Sequence, residues 1–219
     1  MTKVPMTAVS LESLRGFVFD ILRAMGVPEE EAEIFGSALI FSELRFHPGH
    51  GQGVKKLRRY QSRFAEGGID PAAPWEILKE SPALALVSAN NGIGTVAATR
   101  AMRLAIEKSK VCGIGQVIVR DSTHFGSSAV HACLGPETGC IGIAMTNAGP
   151  EMAPWGGREG VVGTNPWGIA VPTGLGFPAV LDIALTTAGK GMMNWHAAEG
   201  WPMPRDWALT PEGEETDDP

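Results

Sequence analysis

Gly92-Ile93-Gly94-Thr95-Val96-Ala97 is the stretch on which the fold turns. It matches G-x-G-x-x-G/A, the pattern that lets backbone approach a dinucleotide pyrophosphate at a helix N-terminus. Residues 83–88 before it read as a buried strand and residues 96–110 after it as an amphipathic helix. Asp121 ends the next strand, where a ribose-binding acid would sit. A Rossmann reading therefore competes with a plainer one, a tight turn followed by a helix start. Two features weigh against the first: Asn90 and Asn91 separate the strand from the glycines, and no orderly series of βα units follows Asp121.

Working outward, residues 116–120 read as a strand, 127–134 as a short helix and 141–146 as another strand, so a sheet with helical cover is expected. Upstream the period is helical. Leu11, Leu14, Val18, Ile21, Leu22 and Met25 recur at three- and four-residue spacing, with Ser10 as N-cap and Gly26 as stop. Pro28 and the acids Glu29, Glu30 and Glu31 open a second helix whose apolar face is Ile34, Phe35, Ala38 and Leu39. A loop over 46–53 leads into a basic segment, 55–63. Downstream, 149–219 is rich in Gly, Pro and Trp, with strand candidates at 169–171 and 180–183. Its acidic end, 212–218, reads as loop or disorder. The expected division is a helical part, 1–73, and a sheet part, 74–219.

The whole composition is that of a globular protein: 219 residues, 44% hydrophobic and 19% charged. A net charge of −6 argues against a nucleic-acid surface. No apolar run approaches the roughly 20 residues that span a bilayer, and no signal-type apolar segment opens the chain. Cys112, Cys133 and Cys140 are an odd count in weak spacing, which fits reduced thiols and a soluble cytoplasmic protein.

Polar islands in this apolar background are the candidates for chemistry. Ser122-Thr123-His124-Phe125-Gly126 and His50-Gly51 pair a side chain that titrates near neutrality with glycine, which admits a ligand close to the backbone. Acid/base work for His50 or His124 competes with a turn in which histidine satisfies backbone groups. His47, His50, His124, His131 and His196 lack the spacing of metal ligands, so no metal site is expected. Pro154-Trp155-Gly156-Gly157-Arg158-Glu159 and Gly163-Thr164-Asn165-Pro166 could cradle an anion or carboxylate, or punctuate hairpins. Asp182, alone inside the apolar run Leu181-Asp182-Ile183, must either cap backbone amides or orient a histidine, because a buried unpaired carboxylate is costly. Neither G-x-S-x-G nor G-K-[ST] occurs.

Taken in order, these segments resemble the malate/L-lactate dehydrogenase family of non-Rossmann NAD(P)-dependent oxidoreductases, which also holds ureidoglycolate, sulfolactate, diketogulonate and piperideine-2-carboxylate enzymes. Leu44-Arg45-Phe46-His47-Pro48-Gly49-His50-Gly51 is similar to its Leu-Arg…Ser-His-Gly signature, and Leu57-Arg58-Arg59-Tyr60 to Leu-Pro-Arg-Tyr. Asp121-Ser122-Thr123-His124-Phe125-Gly126 resembles Asn-Ser-Asn-His-Phe-Gly. The 153–159 and 163–166 islands, Leu181-Asp182-Ile183-Ala184 and Trp207-Ala208-Leu209 match as well. The resemblance removes the Rossmann reading of Gly92 to Ala97, which becomes the family's helix start.

What it implies is an α/β (α+β) fold with an N-terminal helical part on a mixed, largely antiparallel sheet, assembled as a homodimer. The implied reaction moves a hydride between NAD or NADP and a 2-hydroxy or 2-oxo acid. His50 matches the residue usually assigned as proton donor; some members are assigned the histidine at His124. Asp182 would orient a histidine and Arg45 would grip the substrate carboxylate. Cofactor contacts carry over to His124 and Gly126, to Thr164, Asn165 and Pro166, and to Asp182, Ile183 and Ala184. Two departures stand out: Gly49 replaces the family's serine, and Gln52-Gly53 reads as an insertion. The family also continues beyond the position of Pro219, through a Lys-Gly-Tyr-Gly region. Two functions are therefore expected in competition: a dehydrogenase with a reduced or partner-completed site, and an inactive truncated remnant serving as fold fragment or interaction module.

Overall fold

The computed structural model describes residues 7–45 and 53–219. Helix α1 (Leu11–Ala24) starts where Ser10 Oγ accepts the Ser13 amide at 3.1 Å and stops before Gly26, whose φ of +77° an L side chain rarely adopts. Helix α2 (Glu29–Leu44) carries its three acids in the first turn and lies on α1. Gly36 makes that crossing close, because a Cβ there would sit 2.8 Å from Phe19 Cε1. Helix α3 (Lys56–Ala65) buries Leu57 and Tyr60 against the same core. Val18, Leu22, Phe35, Leu39, Ile93 and Val96 complete it.

Strand β1 (Glu76–Glu80) runs antiparallel to β2 (Leu84–Ser88), which pairs in parallel with β3 (Gln116–Arg120) across helix α4 (Gly94–Cys112). This is the one parallel crossover among the described strands. Arg100 of α4 bonds Glu30 and Glu31 of α2 at 3.1 and 2.8 Å, which ties the crossover to the helical part.

Helix α5 (Ser128–Ala132) follows, then β4 (Gly142–Met145), a two-stranded pair β5 (Pro150–Met152) and β6 (Val162–Gly163), β7 (Trp167–Val171) and β8 (Ala179–Ile183). Strands β4, β7 and β8 form an antiparallel sheet in that order. Alternation gives it two faces. Gly168 and Ala170 are buried on the α5 side, and a Cβ at 168 would stand 2.9 Å from Ser128 Cβ, so glycine lets α5 settle onto β7. Helix α6 (Lys190–Glu199) and the short pair β9 (Ala208–Leu209) and β10 (Glu215–Thr216) end the chain.

The mixed, largely antiparallel architecture agrees with the expected fold class, and no doubly wound parallel sheet is present among the described residues. The acidic end differs from its expectation of loop or disorder. β10 pairs with β9 because a tight turn forms first: Thr210 Oγ1 accepts the amides of Glu212 and Glu214, and Gly213 takes a φ of +95°. No described helix is long and apolar enough to cross a membrane.

Candidate functional site

The loop 121–127 crosses the N-terminus of α4, which answers the glycine fingerprint in physical terms. The Gly94 amide donates to Thr123 Oγ1 at 3.0 Å, and that hydroxyl donates to the Gly92 carbonyl at 2.8 Å. A Cβ at 94 would overlap the Thr123 carbonyl oxygen. The space that a Rossmann loop offers to pyrophosphate is filled here by the Thr123 carbonyl, and the Gly94 amide is taken by the Thr123 hydroxyl. Asp121 is engaged as well: its carboxylate accepts from Arg120 Nε at 2.7 Å and Ser88 Oγ at 3.0 Å, which holds it below the usual carboxylate range.

Past this anchor the loop presents His124. The Gly126 amide donates to His124 Nδ1 at 3.0 Å, so the neutral ring carries its proton on Nε2. Gly126 has a φ of +87°, a conformation suited to glycine. Tyr60 donates to the His124 carbonyl at 3.3 Å, and burial pushes the phenol up to about 12, so it keeps the proton it donates. Ser127 donates to Asp182 Oδ2 at 2.5 Å, and the Ala129 amide reaches the same oxygen at 2.9 Å. Asp182 thus caps the first turn of α5, the first of the two roles open to it, from a strand position opposite Gly168.

One end of the antiparallel sheet gathers the remaining predicted contacts. Asn165, at φ +37°, accepts the Ala148 amide on Oδ1 at 2.9 Å; the Thr164 carbonyl accepts from Leu185 at 2.8 Å and that of Pro166 from Thr146 at 3.1 Å. Thr164, Asn165 and Pro166 therefore sit beside Ile183 and Ala184. His124, Gly126 and Asp182 are linked to this end through Ser127 and β8. Arg45 stands apart at the end of α2, its guanidinium over the Phe41 ring and bonded to the Phe41 carbonyl at 2.9 Å; its field still reaches the Cys133 thiol at the end of α5. His50, with His47 and Gly49, lies outside the described residues.

Three contributors were not singled out from sequence. Lys56 lines a cleft with Phe35, Leu39, Tyr60, Thr95 and Ser127, and burial lowers its pKa, with Arg59 adding to the effect. His131, buried on α5, bonds the Phe125 carbonyl at 2.7 Å and Thr99 Oγ1 at 3.2 Å; burial holds it neutral with a pKa of about 4. The useful signal for Lys56 and Tyr60 was their one-turn spacing, which places both on one face of α3.

The sequence matches the malate/L-lactate dehydrogenase family over residues 9–219, and the chain belongs to that family. Among its relatives, the malate dehydrogenase of Pyrococcus abyssi is 40% identical over 205 residues, which is 94% of this chain and 56% of that protein. The L-sulfolactate dehydrogenase of Methanocaldococcus jannaschii is 35% identical over 208 residues, 95% of this chain and 60% of its own. In three dimensions the chain is similar to the malate dehydrogenase of Entamoeba histolytica, with a TM-score of 0.94, 33% identity and coverage of 98% of this chain and 59% of that one. It spans somewhat more than half the length of these relatives.

Proposed function

We propose that this chain takes part in reversible hydride transfer between NAD or NADP and a small 2-hydroxy or 2-oxo acid, of the malate, lactate or sulfolactate type named for its relatives. The observation that carries the reading is the His124 loop: a tautomer-fixed imidazole tied through Ser127 to Asp182, beside the 164–166 and 183–185 segments. The chemistry of this region suits a polar, amide-bearing cofactor. Ser128 Oγ and Thr186 Oγ1 are buried without a partner among the described residues, and such groups are stabilised by a ligand that can bond them. Thr164, Asn165, Pro166, Ile183 and Ala184 would hold the cofactor, with His124 and Gly126 at its reactive end.

Nicotinamide, when bound, supplies or accepts the hydride. Reduction of a carbonyl leaves negative charge on oxygen, and an imidazole N–H within hydrogen-bond reach relieves it. We assign that proton donor to His50 and a donor contact from Nε2 to His124. Lys56, half-buried in a cleft that it shares with Tyr60, Thr95 and Ser127, and Arg45 are the cations suited to a substrate carboxylate. Asp182 keeps the loop in register. A homodimer, supported by the apolar outer face of the β4–β7–β8 sheet, and a cytoplasmic location, supported by three free cysteines, belong to the same reading.

The test is oxidation of malate, lactate and sulfolactate by the purified chain with NAD and with NADP. His50→Ala should lower kcat by roughly 10² to 10⁴. His124→Ala should instead raise KM for the cofactor more than it lowers kcat. No turnover with any acid and either cofactor would overturn the assignment.

A further inference from the structure

We infer that His131 is a positioning residue that sets the tautomer of His124 through the peptide joining Phe125 to Gly126. Its catalytic consequence rests on the proposed function; the tautomer itself does not.

Hydrogen-bond polarity fixes where the protons sit. The Phe125 carbonyl can only accept, so the His131 Nε2 that lies 2.7 Å from it must carry a proton. A neutral ring has one such proton, so Nδ1 accepts from the Thr99 hydroxyl at 3.2 Å. The Phe125–Gly126 peptide is planar and trans, as no cis bond occurs among the described residues. Its carbonyl and its N–H therefore point in opposite directions. Fixing the carbonyl on His131 aims the Gly126 N–H the other way, onto His124 Nδ1 at 3.0 Å. The proton of His124 is then confined to Nε2.

Two further contacts keep that peptide from rotating. The Phe125 ring packs on the His131 ring, centroids 5.2 Å apart and 32° from parallel. The preceding carbonyl, that of His124, is held by Tyr60. His131 is 1% exposed, so water does not compete for its bonds, and burial keeps it neutral where His124 would work. The sequence Thr99 to His131 to peptide to His124 is a polarised relay with one direction of donation throughout.

Histidine-selective ¹⁵N labelling and long-range ¹H–¹⁵N correlation spectra of the whole chain test this directly. In the wild type near pH 7, both His124 and His131 should show a protonated Nε2 and a bare Nδ1. In His131→Leu, His124 should become a mixture of both tautomers; His131→Gln, which returns an N–H near the Nε2 position, should restore the single form. Where the proposed activity is present, His131→Leu should raise KM for the cofactor roughly tenfold, more than it lowers kcat, and His131→Gln should recover most of the loss. A folded His131→Leu whose His124 stays purely Nε2-protonated overturns the inference. So does a wild-type His131 or His124 protonated on Nδ1, a result that needs no variant to fold. Loss of the enzymatic arm with the tautomers as stated would count against the proposed function alone.

Discussion

The helical region 11–112 and the sheet of β4, β7 and β8 treat their apolar residues in opposite ways. In the first, Val18, Leu22 and Phe35 are at most 1% exposed, and helices close over them from several sides. In the second, one face is covered by α5 while the other stands open. Ile143 and Met145 pair with Ile169 and Trp167, which pair in turn with Leu181 and Ile183, so six side chains share one outer face. Ile143 is 50%, Met145 69% and Leu181 43% exposed. The first region supplies a closed core, and the second supplies edges, loop ends and an apolar surface. The His124 loop lies on the seam, held by Tyr60 from the one and by Asp182 from the other.

The sharpest break of that contrast is a core truncation. Phe35→Ala should cost about 3–5 kcal/mol in urea denaturation, while Leu181→Ala on the open face should cost well under that, since little cavity forms. Equal losses would show that the outer face is packed in solution as tightly as the core.

Acid comes next. The folded pKa of His131, about 4, lies below its ordinary 6.5, so the unfolded chain binds the extra proton first. The stability tied to neutral His131 is therefore complete above about pH 6.5 and is lost as pH falls towards 4, by up to about 3 kcal/mol. Denaturation midpoints at pH 7 and pH 4.5, for the wild type and for His131→Gln, check it; the variant should show the smaller drop.

A smaller effect is expected at the seam itself. Asp182→Ala strands the Ser127 hydroxyl and the Ala129 amide, at a cost of roughly 1–3 kcal/mol, and should loosen the His124 loop as judged by amide exchange of Gly126. The smallest effect on folding should come from the open face. Leu181→Lys should change stability within about 0.5 kcal/mol yet shift sedimentation from dimer towards monomer. A dimer that survives the charge would place the interface elsewhere.

Legibility in the sequence followed the range of the forces involved. The α1 N-cap, the α4 helix and the separate strands β2 and β3 were readable because period and capping are local. β1 was not, since Glu76, Lys79 and Glu80 leave it with no apolar alternation and all five residues are exposed. α6 was hidden in a stretch of Gly and Trp, its Met192, Met193 and Trp195 forming no clean stripe. At the site, His124, Asn165 and Asp182 announced themselves beside glycines or as a lone acid in a strand. His131 did not: its partner Thr99 is 32 residues away, and in a linear reading it is one more histidine in a failed metal set. Tyr60 and His124, 64 residues apart, show the same limit.

Gly94 carries a lesson about motifs in general. A glycine pattern reports a vacancy, and a vacancy states no preference among tenants. Here the tenant is a carbonyl from 29 residues downstream, brought in by a threonine that bonds both ends of the turn. The specificity that a pattern search would credit to six consecutive residues belongs to a seventh, and replacing Thr123 by a residue without a hydroxyl would change what those six mean.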